Sequence, residues 1–152
     1  MILRLSKKLL FAIEAVTDIA YNAGDVPVAS VEIGERQGIP RRFLEPVLQQ
    51  LVRDGILKSE RGPRGGYRLA RERRRITVGD IVRAVRKLET AEDPIADPAG
   101  SDLGRTVVRP LWLELEEDAM SRLDKVTLEE LCLKAYKAGV PGEYGAKIDF
   151  TI

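Results

Sequence analysis

The chain has 152 residues, 44% apolar and 32% charged, with a formal net charge of +1. That suffices for one domain with a real core, or a small domain carrying an appended element, and excludes two large ones. The lone Cys132 forms no intramolecular disulfide, the absence of histidine removes the commonest general base and metal ligand, and no membrane span or signal peptide is apparent, so a non-enzymatic, soluble, cytoplasmic protein is expected.

Ser6 is placed to cap a first helix, because its hydroxyl can accept a backbone N–H left unpaired at a helix start. Leu9, Leu10, Ile13, Val16 and Ala20 follow at helical spacing, and Gly24 sits where a left-handed stop is expected. Lys7 and Lys8 fall in the first turn, where cations oppose the helix dipole. A nearby phosphate would rationalise them, and so would simple solvation. Asp25-Val26-Pro27 reads as a turn and residues 28–37 as a short helix stopped by Gly38, with Gly34 weakening it in isolation.

Pro40 suits the first position of the next helix, which runs to about Asp54 and Gly55. Leu44, Val47, Leu48 and Leu51 share its core face, while Arg42, Glu45, Gln49 and Arg53 lie roughly opposite, with Arg41 at the edge. Two short helices around a Gly-containing turn make a helix-turn-helix shape. On the outer face of its second helix, Arg can read guanine, Gln adenine, and Glu can accept from cytosine. Pro46 removes a backbone bond, so a slight kink or a late start is expected.

Residues 56–59 then read as a strand and Tyr67-Arg68-Leu69 as its return. Between them Gly62, Gly65 and Gly66 can adopt positive φ and let the backbone approach another surface, Pro63 stiffens the loop, and Arg61 and Arg64 are left at the tip. Such a tip suits a narrow minor groove, where negative potential attracts guanidinium. An ordinary Gly-rich hairpin is the plain alternative, and a phosphate-binding P-loop is excluded because no Gly-Lys-Ser/Thr follows. Charge agrees with position: residues 36–75 hold 12 basic and 4 acidic side chains. Residues 1–88 hold 18 against 10, and residues 89–152 hold 7 against 14. A basic front half for a polyanion and an acidic rear half kept away from it follow.

Thr77 with Asp80 resembles a capping box opening a helix through Val78, Ile81, Val82 and Val85. Residues 89–104, rich in Asp, Glu, Pro and Gly, read as a mobile acidic linker. Beyond it Leu103, Val107, Val108, Leu111, Trp112, Leu115, Ala119 and Leu123 trace one face of a long helix, which Pro110 either kinks or begins. Such a face after a linker calls for a partner, and a second copy is the economical one; Val108, Leu111, Trp112, Leu115, Ala119 and Leu123 are its candidate dimerisation residues. Thr127 with Glu130 opens a last helix through Leu128, Leu131, Cys132, Ala135 and Tyr136, and Ile148, Phe150 and Ile152 alternate as a weak strand. The divisions are residues 1–88, a winged helix-turn-helix domain; 89–104, a linker; 105–136, dimerisation helices; and 137–152, a tail. The fold class is mainly α with a small β-hairpin wing.

The run from Ile33 through Tyr67, with Gly-Glu-Arg-Gln-Gly-Ile at 34–39, Phe-Leu-Glu at 43–45 and Arg-Gly-Pro-Arg-Gly-Gly-Tyr at 61–67, resembles the bacterial Rrf-two type regulators, the family that includes IscR, NsrR and CymR. The likeness extends through Ile76-Thr77-Val78-Gly79-Asp80 and more loosely to Leu111-Trp112 and residues 127–131, so it covers most of residues 1–135. It implies a homodimeric winged-helix transcription factor, usually a repressor, paired through the long C-terminal helix; two readers related by a two-fold axis favour a palindromic operator. It also implies DNA contacts at Ser6 and Lys7, at Arg41, Arg42 and Glu45, and at Arg61, Gly62, Pro63, Arg64, Gly65, Gly66 and Tyr67; Gln49 joins them from the helical face alone.

Cluster-binding members carry three cysteines in the segment aligned with residues 89–109, and this chain has none there. With thiolates missing and no histidine to replace them, no iron–sulfur cluster, metal or other cofactor is expected. Cys132 is the remaining redox candidate, although its apolar company at helical spacing describes a buried small hydrophobe. Two other functions remain open on the same scaffold with weak DNA binding: docking of a protein partner through the acidic linker and tail, or sensing of a small effector between the linker and the long helix.

Overall fold

The order of elements follows from where backbone stops are cheap and apolar faces recur. The computed structural model of the chain describes residues 5–89 and 94–145. The expected strand at residues 147–152 and residues 90–93 of the acidic segment lie outside them. Helix α1 spans Lys7–Tyr21, and Ser6 caps it as expected, its Oγ accepting from Leu9 N at 3.2 Å. Helices α2 (Ser30–Gln37) and α3 (Arg41–Arg53) are separated by Gly38 in the left-handed conformation, φ 65°. Gly55, φ 74°, turns the chain out of α3 into β1 (Leu57–Glu60), which pairs antiparallel with β2 (Gly66–Leu69) in the register Leu57 to Leu69 and Glu60 to Gly66. A single 3₁₀ turn, Arg73–Arg75, leads to α4 (Val78–Arg86), opened by a complete capping box between Thr77 and Asp80. The chain re-enters a helix through a π turn at Gly104–Val108, continues as α5 (Arg109–Leu123), and turns at residues 124–127 into α6 (Leu128–Lys137). Pro110 therefore marks the start of the α-helical segment.

Helix α1 is the hub of the core and touches α2, α3, α4, α6 and β2. Ala12, Ala15, Val16, Ile19 and Ala20 are sealed within it, with Ile33, Leu44, Val47, Leu48, Leu51, Ile81 and Leu128 packed from the surrounding elements. Each fully buried Leu or Ile contributes roughly 1.5–3 kcal/mol, so this layer holds the helices at fixed angles. Two sequence expectations are corrected here. Leu10 is 39% exposed rather than part of the core. The helix stops at Asn22, whose side chain and backbone N–H both turn back to the Asp18 carbonyl, and Gly24 is not left-handed.

The rear elements are joined to the front by backbone as well as side chains. Val78 N donates to Val126 O and Leu128 N to Ile76 O, both at 2.9 Å, so the two Thr-capped helix starts lie side by side. Gly79 permits this, because a Cβ there would overlap the carboxylate of Asp124. The described part of the C-terminal tail also belongs to the core: Tyr144 stacks on Tyr21 with centroids 5.6 Å apart, and Tyr21 Oη donates to Val140 O.

Candidate nucleic-acid interface

Helix α3 is strongly two-sided. Leu44, Val47, Leu48 and Leu51 are at most 2% exposed, while Arg41, Arg42, Gln49 and Arg53 face outward and Glu45 is half-buried between them. The helix runs through Pro46 rather than starting after it. Arg41 Nε approaches Glu45 Oε1 at 3.4 Å, and the Arg42 guanidinium lies over the Phe43 ring, 5.0 Å from its centroid.

Beside α3 stands the hairpin, and its glycines act in two distinct ways. Gly62 alone is left-handed, φ 110°. Gly65 and Gly66 serve close approach instead: a Cβ on Gly65 would sit 2.6 Å from Glu60 O, and one on Gly66 would sit 2.4 Å from Val28 O. The expectation of freedom in φ at all three is corrected to one. Tyr67 exchanges two backbone hydrogen bonds with Val28, at 2.8 and 3.0 Å, which fastens the wing to the segment entering α2. Its ring packs half-buried against the core, and burial first, then the nearby Glu45 carboxylate, pushes its hydroxyl above the ordinary tyrosine value. Arg61 and Arg64 are left exposed at the tip, with no carboxylate in ion-pair range among the described residues.

Arg68 is a supporting residue that sequence reading missed. Its guanidinium donates to the carbonyls of Gly24 and Asp25 at 2.9 and 2.7 Å and pairs with Glu60 at 2.8 Å, so it locks the wing base to the α1–α2 turn. Nothing in a Gly-Tyr-Arg-Leu run distinguishes this arginine from those at the tip.

The start of α1 completes the basic side. Lys7 is exposed in its first turn, and Phe11, one turn on, meets Phe43 in the first turn of α3 with centroids 5.6 Å apart, so the two helix starts are neighbours. Ser6 does more than cap: its Oγ donates to Glu89 Oε1 at 2.5 Å. A carboxylate therefore stands at a helix N-terminus, a place suited to a phosphate.

The candidate dimerisation residues behave as two groups. Val108, Leu111, Trp112 and Leu115 are 56%, 56%, 38% and 41% exposed, and no residue of α5 is buried. Ala119 and Leu123 instead line an apolar groove of about 310 Å³ with Leu5, Leu9, Ile13, Val78 and Val82 of the same chain.

The donors around the start of α5 do not fit an iron–sulfur cluster. In residues 94–109 the acidic side chains are Asp97 and Asp102, which accept from Ala99 N at 2.9 Å and Arg105 Nη2 at 2.7 Å, and there is no thiol or imidazole. Arg105 and Arg109 gather the carbonyls of Asp97, Pro98, Ala99 and Gly100, so the described part of this segment is folded onto the start of α5. Among the described residues no group of three or more Cys, Asp or Glu side chains is disposed to hold a metal ion. Cys132 is fully buried in α6, and burial drives its thiol up to about 11.

Comparison with known proteins agrees with this geometry. The family model described as "Rrf2: Iron-dependent Transcriptional regulator" matches residues 5–134. The chain is 35% identical over 129 residues to the HTH-type transcriptional regulator IscR of Yersinia pseudotuberculosis, covering 85% of this chain and 79% of that protein, and IscR of Xenorhabdus nematophila matches to the same extent. Among solved structures, T. potens IscR superposes with a TM-score of 0.72 at 31% identity, over 94% of this chain and 96% of that one. CymR, the global cysteine regulator of B. subtilis, follows with a TM-score of 0.68 at 28% identity, over 86% and 97%.

Proposed function

Because this chain belongs to the Rrf2 family of transcriptional regulators, we propose that it acts as a homodimeric, sequence-specific DNA-binding repressor without an iron–sulfur cluster. The observation that carries the reading is the set of exposed arginines on α3 and on the hairpin packed beside it. Arg42 and Arg53 of the helix and Arg61 and Arg64 of the hairpin are all exposed, and Val28, Tyr67 and Arg68 tie the hairpin to the segment between α1 and α2. Phosphate contacts give such a surface its affinity, and the helix edge gives it sequence. Ser6, Lys7, Arg41, Glu45, Gln49 and the residues from Gly62 to Tyr67 are its remaining candidate contacts.

Pairing is supported by α5, where Val108, Leu111, Trp112 and Leu115 stand exposed at helical spacing, and contiguous exposed apolar side chains mark interaction sites. Two copies about a two-fold axis would present α3 to successive major grooves, about 34–36 Å apart, and favour a palindromic operator. A dimer seated across two turns of a promoter obstructs polymerase, which is the basis for repression. The signal then enters through an effector or protein partner rather than a cluster, since the only cysteine is buried in α6 and Asp97 and Asp102, the carboxylates of residues 94–109, each accept a hydrogen bond from their own segment. No helix among the described residues is long and apolar enough to cross a membrane, and the proposed site of action is the cytoplasm.

Selection of binding sites from random DNA with the full chain, followed by a salt titration of the best site and sedimentation of the free protein, tests this. A palindromic motif, a dimer, and a log–log salt slope of roughly −0.9 per neutralised phosphate are expected. Salt-independent binding, or a stable monomer at working concentrations, would overturn it.

A further inference from the structure

Two arginines open α3, and they are held differently. Arg41 reaches along the helix to Glu45, and its side chain is otherwise 86% exposed. Arg42 has no carboxylate in ion-pair range among the described residues; its guanidinium rests on the Phe43 ring, 5.0 Å from the centroid. The Phe43 ring in turn meets Phe11 of α1 at 5.6 Å and 57°, and both phenylalanines pack half-buried against the core. A column of three side chains therefore runs from the core outward and ends in a cation.

The chemistry of that end is specific. A guanidinium that uses its flat face on an aromatic ring keeps its in-plane N–H groups at the edge, and that edge forks onto O6 and N7 of guanine. An arginine free in water must lose rotamer freedom before it can make the same pair, whereas one already stacked has lost part of it. Arg41 offers less, because its Nε already faces a carboxylate that offsets its charge.

Resting on the DNA-binding reading above, we infer that Arg42 is the guanine-reading residue of α3, and that Phe43, backed by Phe11, is its positioning residue. Each operator half-site then contains one G·C pair whose recognition depends on this column.

The test starts from the operator recovered with the wild-type chain and measures affinity for every single-base variant of it, using wild type, Arg42→Ala, Phe43→Leu and Phe43→Tyr. Wild type should lose about tenfold when the guanine is replaced, within the range of one bidentate pair. Arg42→Ala should become indifferent at that position and keep its preferences elsewhere. Phe43→Leu should fall between the two, and Phe43→Tyr, which keeps the ring, should match wild type. If Arg42→Ala retained the guanine preference, the assignment of Arg42 is wrong. If Phe43→Leu weakened all sequences alike and left base preferences intact, its role is packing and the positioning claim fails. Failure of wild type to select any motif would instead remove the DNA-binding reading on which the inference rests.

Discussion

Arg36 of α2 closes a two-pronged hydrogen bond onto Asp18 of α1, with Nη2 2.8 Å from Oδ1 and Nε 2.9 Å from Oδ2. Gln37 adds a third donor to Oδ2 at 2.8 Å, and the Asp18 side chain is wholly buried. The pair fixes the angle at which the helix-turn-helix leaves α1. Removing one partner of a buried pair leaves the other charge uncompensated, so Arg36→Met should destabilise the fold by about 3 kcal/mol, the lower end of the usual range because Gln37 remains. Urea unfolding measures it. A loss under about 1 kcal/mol would mean that water reaches Asp18 and the pair acts as a surface salt bridge.

The wing depends on the contact between Gly66 and Val28. A Cβ at Gly66 would lie 2.4 Å from the Val28 carbonyl oxygen and 2.9 Å from Ala29 N, all backbone atoms that no side-chain rotation relieves. Gly66→Ala should cost about 1–3 kcal/mol as an overpacking substitution and loosen the hairpin, lowering DNA affinity more than stability alone explains. Amide hydrogen exchange at Tyr67, whose N–H donates to Val28 at 2.8 Å, reports the loosening directly. Unchanged protection there would show that the wing does not need this approach.

At the tip, Arg64 and Arg61 reach solvent with no competing carboxylate in ion-pair range among the described residues. Arg64→Ala should weaken binding to all sequences and reduce the magnitude of the log–log salt slope by about 1, the signature of one lost phosphate neighbour. Were affinity and slope both unchanged, the tip does not touch DNA.

Much of this arrangement is legible in the order of residues along the chain, and the failures have a common cause. The faces of α3 and α4, the caps at Ser6, Thr77 and Thr127, and the two strands of the hairpin emerge from spacing because each is a local relation. Leu10 and Gly24 misled because helical spacing does not say which apolar positions the neighbouring elements cover, and they leave Leu10 exposed, while the helix stop is made by Asn22. Asp18 looks like any charged residue on a helix; its partner lies 18 positions away and only packing brings them together. The hydrogen bond between Ser6 and Glu89 spans 83 positions, and acidic composition describes Glu89 without locating it.

The tail-side cluster predicts an alkaline weakness. Burial and the hydrogen bond to Glu129 raise Tyr144 from the ordinary 10.0 to about 12, burial raises Cys132 from 9.0 to about 11, and Tyr21 is raised by burial as well. Arg73, over the Tyr144 ring and paired with Glu129, opposes the first two shifts. All three groups are neutral acids held protonated by the fold, so their contribution is complete below the unfolded values and is lost as pH rises from about 9 toward 11–12. Urea midpoints should therefore fall steeply above pH 9, and Tyr144→Phe should flatten that fall. A Tyr144→Phe profile parallel to wild type would place the weakness elsewhere.

Glu89 offers the sharpest check on whether α1 meets the DNA backbone. Its carboxylate accepts from Ser6 at the start of α1, next to the exposed Lys7, so an incoming phosphate would share this helix terminus with a negative charge. Glu89→Gln keeps a hydrogen-bond acceptor for Ser6 and removes the charge. A unit charge at a helix terminus is worth on the order of 1 kcal/mol, so operator affinity should rise about fivefold. The same charge change at Glu114, exposed on α5, controls for the general effect of net charge and should give a smaller gain. If both variants gained equally, the phosphate does not reach Ser6, and the start of α1 leaves the proposed interface.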